Sequence, residues 1–225
     1  STNNFGINIS IKRLSELMLD LQSKKANNIN LVTPTHFIPS IIEAIKLARR
    51  NGLTIPIVYN TSGYESIDTI KLLDGYVDIY LTDFKYFDNK LGEDLSKVKN
   101  YFEVASTALD EMYKQVSKNK FSSNGLMTNG IIVRCLVLPT KGNDTKKIIN
   151  YLYQKYQDNI YLSIMNQYTP VTTNTSFPFL NSKVSEEEYD DIINYALDLG
   201  VKNAYIQEGD TSDESFIPPF DLEGL

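Results

Sequence analysis

Four stretches of this chain end in polar residues of the kinds that hold charged ligands. The run Val77-Asp78-Ile79-Tyr80-Leu81-Thr82-Asp83-Phe84-Lys85 reads as a buried strand, entered after the turn at Asp74-Gly75. A carboxylate and an ammonium stand two residues apart at its C-terminal end. Side chains at that spacing share one face of a strand, so Asp83 and Lys85 project together. The run 131–138 is apolar except for Arg134, whose long side chain can reach the same rim. Thr33, Thr35 and His36 close the run 29–33; Asn60 and Ser62 follow the run 55–59; Asn166 and Gln167 follow the run 160–165. In a parallel array such groups converge at the strand ends, where barrel-like α/β folds do their chemistry. Lys and Arg cations, one carboxylate and neutral hydrogen-bonding groups suit a zwitterionic ligand. The cations would take its carboxylate and Asp83 its ammonium, and Asn60 and Ser62 can bond sugar hydroxyls.

Each of these residues also has a purely local reading. Asp83 and Lys85 can be a salt-bridged pair in a loop past the strand. Arg134 can pair with a nearby acid or reach out of an edge strand. His36 suits a helix cap or a core histidine, and Asn60-Thr61-Ser62-Gly63 and Asn166-Gln167 suit turns. Cys135, next to Arg134, points to the opposite face and reads as a buried, inert thiol.

Positioning these groups requires a regular frame, and the spacing of apolar residues supplies one. Ser10 suits the N-cap of a helix with Leu14, Leu17, Met18 and Leu21 on one face, ended at Asn27-Asn28. Pro39 suits the first turn of a helix burying Ile38, Ile41, Ile42, Ile45 and Ala48, closed by Asn51-Gly52. Ser66 caps a short helix carrying Ile67, Ile70 and Leu73. After a polar loop, 101–116 reads as a helix with Tyr101, Val104, Ala105, Ala108 and Met112 inward. Residues 118–130 lack periodicity and read as a loop. A helix over 144–156 follows, then the strand 160–165 and a long loop over 169–183. Ser185-Glu186-Glu187-Glu188 reads as a capping box opening a helix with Tyr189, Ile192, Ile193 and Ala196 inward and Gly200 at its end. A last short strand is read at 204–206. Strand and helix alternate throughout, which argues for parallel strands joined by right-handed crossovers. The units are too few for a closed eight-fold barrel, so the expected α/β fold is an open or partial barrel in a single domain over 1–225.

The chain has 225 residues, enough for one sizeable core, and a formal charge of −6. That charge argues against a nucleic-acid or anionic-membrane surface. No apolar run is long enough to cross a bilayer, and no signal peptide is read. The single cysteine rules out an internal disulfide and fits a reducing cytosol. One Cys and one His cannot build a self-contained Cys/His metal site.

Taken in order, Tyr59-Asn60-Thr61-Ser62-Gly63-Tyr64, Asp83-Phe84-Lys85 and Val133-Arg134-Cys135-Leu136-Val137-Leu138-Pro139 resemble radical S-adenosylmethionine (SAM) proteins, most closely the group related to pyruvate formate-lyase activating enzyme. The run Asn30-Leu31-Val32-Thr33-Pro34-Thr35-His36 and the tail segments Ile206-Gln207-Glu208-Gly209 and Ser215-Phe216-Ile217-Pro218-Pro219-Phe220 resemble an uncharacterised branch of that group. The resemblance implies a partial (β/α)6 TIM-like barrel with SAM across the strand ends. It places Asn60 and Ser62 near the ribose and methionyl part, Asp83 near the amino group, and Lys85 and Arg134 near the carboxylate. Gln167 joins this cofactor-binding set. Thr33 to Thr35 stands where relatives carry a Gly-Gly-Glu stretch that binds the amino group, and Cys135 stands where close relatives often have His.

The family also holds a [4Fe–4S] cluster in a Cys-x3-Cys-x2-Cys loop. This chain has no such loop and begins in a segment resembling the one just after it, so the first strand and cluster loop are expected to be missing. The cluster is therefore expected in the intact protein and not in this chain, since Cys135 alone cannot hold four irons. The implied activity is reductive SAM cleavage and hydrogen abstraction, activase-like, with a glycyl-radical enzyme as partner and flavodoxin or ferredoxin as electron donor. An exposed edge on the strand 29–33 would invite pairing between copies of the chain. Two other readings stay open: a Schiff-base aldolase barrel with Lys85 as nucleophile, and a non-catalytic binding module.

Overall fold

The computed structural model describes residues 7–170 and 173–207. The opening segment 1–4 and the tail 208–220, which entered the resemblance above, lie outside the described residues, as does any strand ahead of the first one seen. In chain order the elements are α1 (Ile11–Ser23), β1 (Ile29–Val32), α2 (Ile38–Arg50), β2 (Ile57–Thr61), α3 (Ile67–Leu72), β3 (Ile79–Asp83), α4 (Asn89–Ser96), α5 (Tyr101–Gln115), β4 (Lys120–Phe121), β5 (Met127–Leu136), α6 (Gly142–Tyr156), β6 (Tyr161–Met165), α7 (Glu186–Leu199) and β7 (Ala204–Ile206). The sheet runs β1-β2-β3-β5-β6-β7 with every neighbour parallel, and β4 adds antiparallel to β5. Consecutive parallel strands joined by helices make the partial TIM-like barrel that the alternating pattern predicts. No described strand pairs with the outer edge of β1.

The two faces of the sheet differ sharply in burial. Ile57, Tyr59, Tyr80, Ile131, Val133, Cys135, Leu162 and Ile164 belong to the core shared with the helices, and none is more than 3% exposed. Their registered neighbours on the other face, Asn60, Leu81, Ile132, Arg134, Leu136, Ser163 and Met165, are only half-buried. That second face is the open inner wall of the barrel. Period-two alternation sets the division: one residue goes to the helices and the next to the mouth.

Several local expectations hold. The Ser10, Ser66 and Ser185 side chains each accept from the backbone N–H three residues on. Helix α2 buries Ile38, Ile41, Ile42, Ile45 and Ala48 as read. Others need correction. In α1 the buried residues are Ser15 and Met18, while Leu21 is 44% exposed. The polar loop before 101 contains α4, whose first turn is capped by Asp88. The loop 118–130 contains β4 and the first half of β5, paired as a hairpin. The capping box is half-formed: Glu188 turns away from its own helix and accepts from the Thr140 and Gly142 N–H groups at the start of α6. Those donors lack helical partners, so the carboxylate satisfies a neighbouring helix end instead. Among the described residues no helix is long and apolar enough to cross a membrane.

Candidate active site at the strand ends

Arg134 is the hub. It sits on the inner face of β5, level with Asp83 on β3. Its Nε donates to Asp83 Oδ1 at 2.6 Å, and its Nη2 donates to Asn60 Oδ1 on β2 at 2.8 Å. Lys85, just past the strand, brings Nζ to 3.5 Å from the other carboxylate oxygen, Asp83 Oδ2. So Asn60, Asp83, Lys85 and Arg134 meet at one mouth. The side chains of Asp83, Arg134 and Lys85 are 17%, 25% and 34% exposed, shielded yet open to a ligand. Two cations against one carboxylate leave the cluster with a net positive charge, which suits an incoming carboxylate. Asp83 already carries both cations, so an ammonium would have to share it with Arg134 and Lys85.

Backbone contacts fix the loops that carry these groups. The Tyr101 hydroxyl accepts from the Lys85 N–H at 2.9 Å and donates to the Ser62 carbonyl at 3.2 Å, bridging the β2 and β3 loops. Burial pushes the Tyr101 phenol well above its usual range, so it stays protonated and able to donate. Gly63 adopts φ +83°, and a Cβ built there would lie 2.1 Å from the Asp83 carbonyl oxygen. The loop after β2 therefore lies directly on the end of β3, at a distance only glycine permits.

The remaining expected residues spread around this group. Thr33 has φ +49° and donates its N–H to the Asn60 carbonyl at 2.8 Å. Thr35 turns to the helix side, where its hydroxyl donates to Glu65 Oε1 at 2.7 Å. The same oxygen accepts from Thr61 at 2.6 Å and from the Tyr59 hydroxyl at 3.3 Å. Ser62 contributes its carbonyl to Tyr101. Gln167 lies half-buried past β6, its carbonyl accepting from Thr169, and no hydrogen bond joins it to the Arg134 cluster. His36 is exposed on the turn after β1 and joins no hydrogen bond in the cluster.

Sequence reasoning missed Tyr101, Glu65 and the role of Gly63. The spacing puts Tyr101 on a helix's core face, and its hydroxyl carries no sequence signal. Glu65 looks like an acid beside a helix cap. The Gly63 position, in a Ser-Gly turn, was the one available signal of a close approach.

Cys135 is fully buried on the face opposite Arg134, and burial pushes its thiol up to about 12. Among the described residues no group of three or more His, Cys, Asp or Glu can hold a metal ion. The residues present do not fit a [4Fe–4S] cluster, which needs several thiolates.

The comparisons with known proteins agree with this architecture. No family model matches the chain. An uncharacterized protein of Methanocaldococcus jannaschii, MJ0674, is 33% identical over 180 residues, covering 79% of this chain and 47% of the relative. The chain thus spans about half the length of that curated relative. Among solved structures, a domain of pyruvate-formate lyase-activating enzyme from Bacteroides vulgatus superposes with a TM-score of 0.55 at 15% identity, covering 80% of this chain and 97% of that domain. SuiB of Streptococcus suis, solved bound to S-adenosylmethionine, superposes with a TM-score of 0.58 at 9% identity, covering 95% of this chain and 48% of SuiB. The chain shares the fold of these proteins, and the first belongs to the enzyme group that the sequence motifs resemble.

Proposed function

We propose that this chain is the SAM-binding barrel of a radical SAM protein related to pyruvate formate-lyase activating enzyme, and part of a longer polypeptide. The observation that supports this reading is the junction of Asn60, Asp83 and Lys85 around Arg134 at the strand ends. Arg134 and Lys85 would receive the methionyl carboxylate, and Asn60 and Ser62 the ribose side. Asp83 holds both cations in place and would stand nearest the amino group, with Thr33 and Gln167 on the rim; Thr35, tied to Glu65 on the helix side, would act only through the turn after β1. Bound SAM supplies, on reductive cleavage, the group that abstracts hydrogen. The chain's single cysteine does not fit the cluster that drives this cleavage, so its thiolates would come from outside these 225 residues. The glycyl-radical partner, the flavodoxin or ferredoxin donor and a cytoplasmic location belong to the same proposal.

Titration calorimetry tests the reading. SAM should bind, and 5′-methylthioadenosine, which lacks the amino-acid part, should bind at least about tenfold more weakly. Absence of heat and of any melting shift at about millimolar SAM would overturn it.

A further inference from the structure

Behind the mouth, on the helix side of β2, lies a second carboxylate with a different environment. Glu65 is 6% exposed, and no ion pair among the described residues reaches it. Its partners are the hydroxyls of Thr35, Tyr59 and Thr61, all on Oε1. A buried carboxylate without a cation is costly unless such bonds hold it, and an ionised one can only accept. Burial keeps the Tyr59 phenol protonated, so it donates. The donors come from two segments: Tyr59 and Thr61 from β2, and Thr35 from the turn after β1.

Tyr59 and Thr61 flank Asn60. Tying both hydroxyls to the helix side leaves Asn60 on the inner face, where it meets Arg134. Two residues before Glu65, Gly63 rests on the Asp83 carbonyl. We propose that Glu65 is a positioning residue for the Asn60–Arg134–Asp83 group. It gathers the pleat of β2 and the turn after β1 on one oxygen, and so sets the geometry that the ligand meets. The effect on ligand affinity rests on the SAM-binding reading; the effect on the Arg134 network does not.

The test uses Glu65→Gln, Thr61→Val and Thr61→Ser in the full chain, with three readouts: the ¹H–¹⁵N signal of Arg134 Nε, SAM affinity and melting temperature. Glu65→Gln and Thr61→Val should shift the Nε signal and lower SAM affinity about tenfold, and Thr61→Ser, which keeps the hydroxyl, should restore both. Tyr189→Phe serves as the structural control, since it cuts two bonds away from the Arg134 cluster, the one it donates to the Ile164 carbonyl and the one it accepts from the Gln207 N–H. It should lower the melting temperature and leave the Nε signal in place. An unchanged Nε signal in both Glu65→Gln and Thr61→Val overturns the inference. So does an affinity loss that merely tracks melting temperature as it does in Tyr189→Phe. If Glu65→Gln does not fold, the Thr61 pair decides. Wild-type protein that ignores SAM would sink the SAM reading, while the Nε signal would still decide the positioning role.

Discussion

Two carboxylates lie on opposite faces beside strand β2, Asp83 at the end of neighbouring β3 and Glu65 in the loop that follows β2, and they live under opposite rules. On the inner face, Asp83 is half-buried and neutralised by a guanidinium and an ammonium. On the helix face, Glu65 is buried and held by hydroxyls alone. The first arrangement has charge to share with a ligand, because two cations face one carboxylate and Lys85, 3.5 Å away, is a third exposed. The second has none to share, because its donors are fixed by the strand and the adjoining turn. A mouth that must both grip and hold still separates the two tasks across one strand. Alternation of side chains makes that separation automatic, residue by residue.

The most damaging way to break this comparison is to strike both networks at once. Gly63→Ala should destabilise the fold by about 3 kcal/mol or more, read by denaturant unfolding, because φ +83° and the Asp83 carbonyl both forbid a Cβ. Removing the inner network alone sharpens it. Arg134→Met should cost about 2–3 kcal/mol of SAM binding by calorimetry, since it removes the group shared by Asn60 and Asp83 and frees Asp83 to repel a carboxylate. Tyr101→Phe deletes the bridge between the Ser62 and Lys85 backbones and should cost about 1 kcal/mol of stability.

The same residue carries a pH signature. Its phenol, like those of Tyr59 and Tyr80, has a folded value above the ordinary one near pH 10. The folded state therefore keeps protons that the unfolded chain gives up. Stability should be full below about pH 10 and fall as pH rises beyond it, less steeply in Tyr101→Phe. A flat stability profile across that range would contradict the burial assigned to these rings.

Arg134 was legible because a charge interrupts an apolar strand, and such a residue must find partners at the rim. The strands were legible for the same reason: apolar, β-branched runs have few other places to go. Helix α4 was not, since its sequence is mostly polar and only Gly92 is buried in it. Strand β4 is two residues long and borrows its order from β5. Glu65 and Tyr101 were illegible as site residues because their roles come from backbone and hydroxyl partners that assemble only in three dimensions. Glu188 shows the converse: the Ser185 half of the local motif forms as its sequence dictates, and tertiary context redirects the Glu188 half to another helix.

Arg134 reaches from β5 past β3 to β2, a span of two strand spacings, on the order of 10 Å. A single side chain thereby works as a gauge of barrel width. Any ligand or neighbour that opened the wall between β2 and β5 would first have to snap the guanidinium off Asn60, so the width of the cleft and the presentation of its positive charge cannot vary independently.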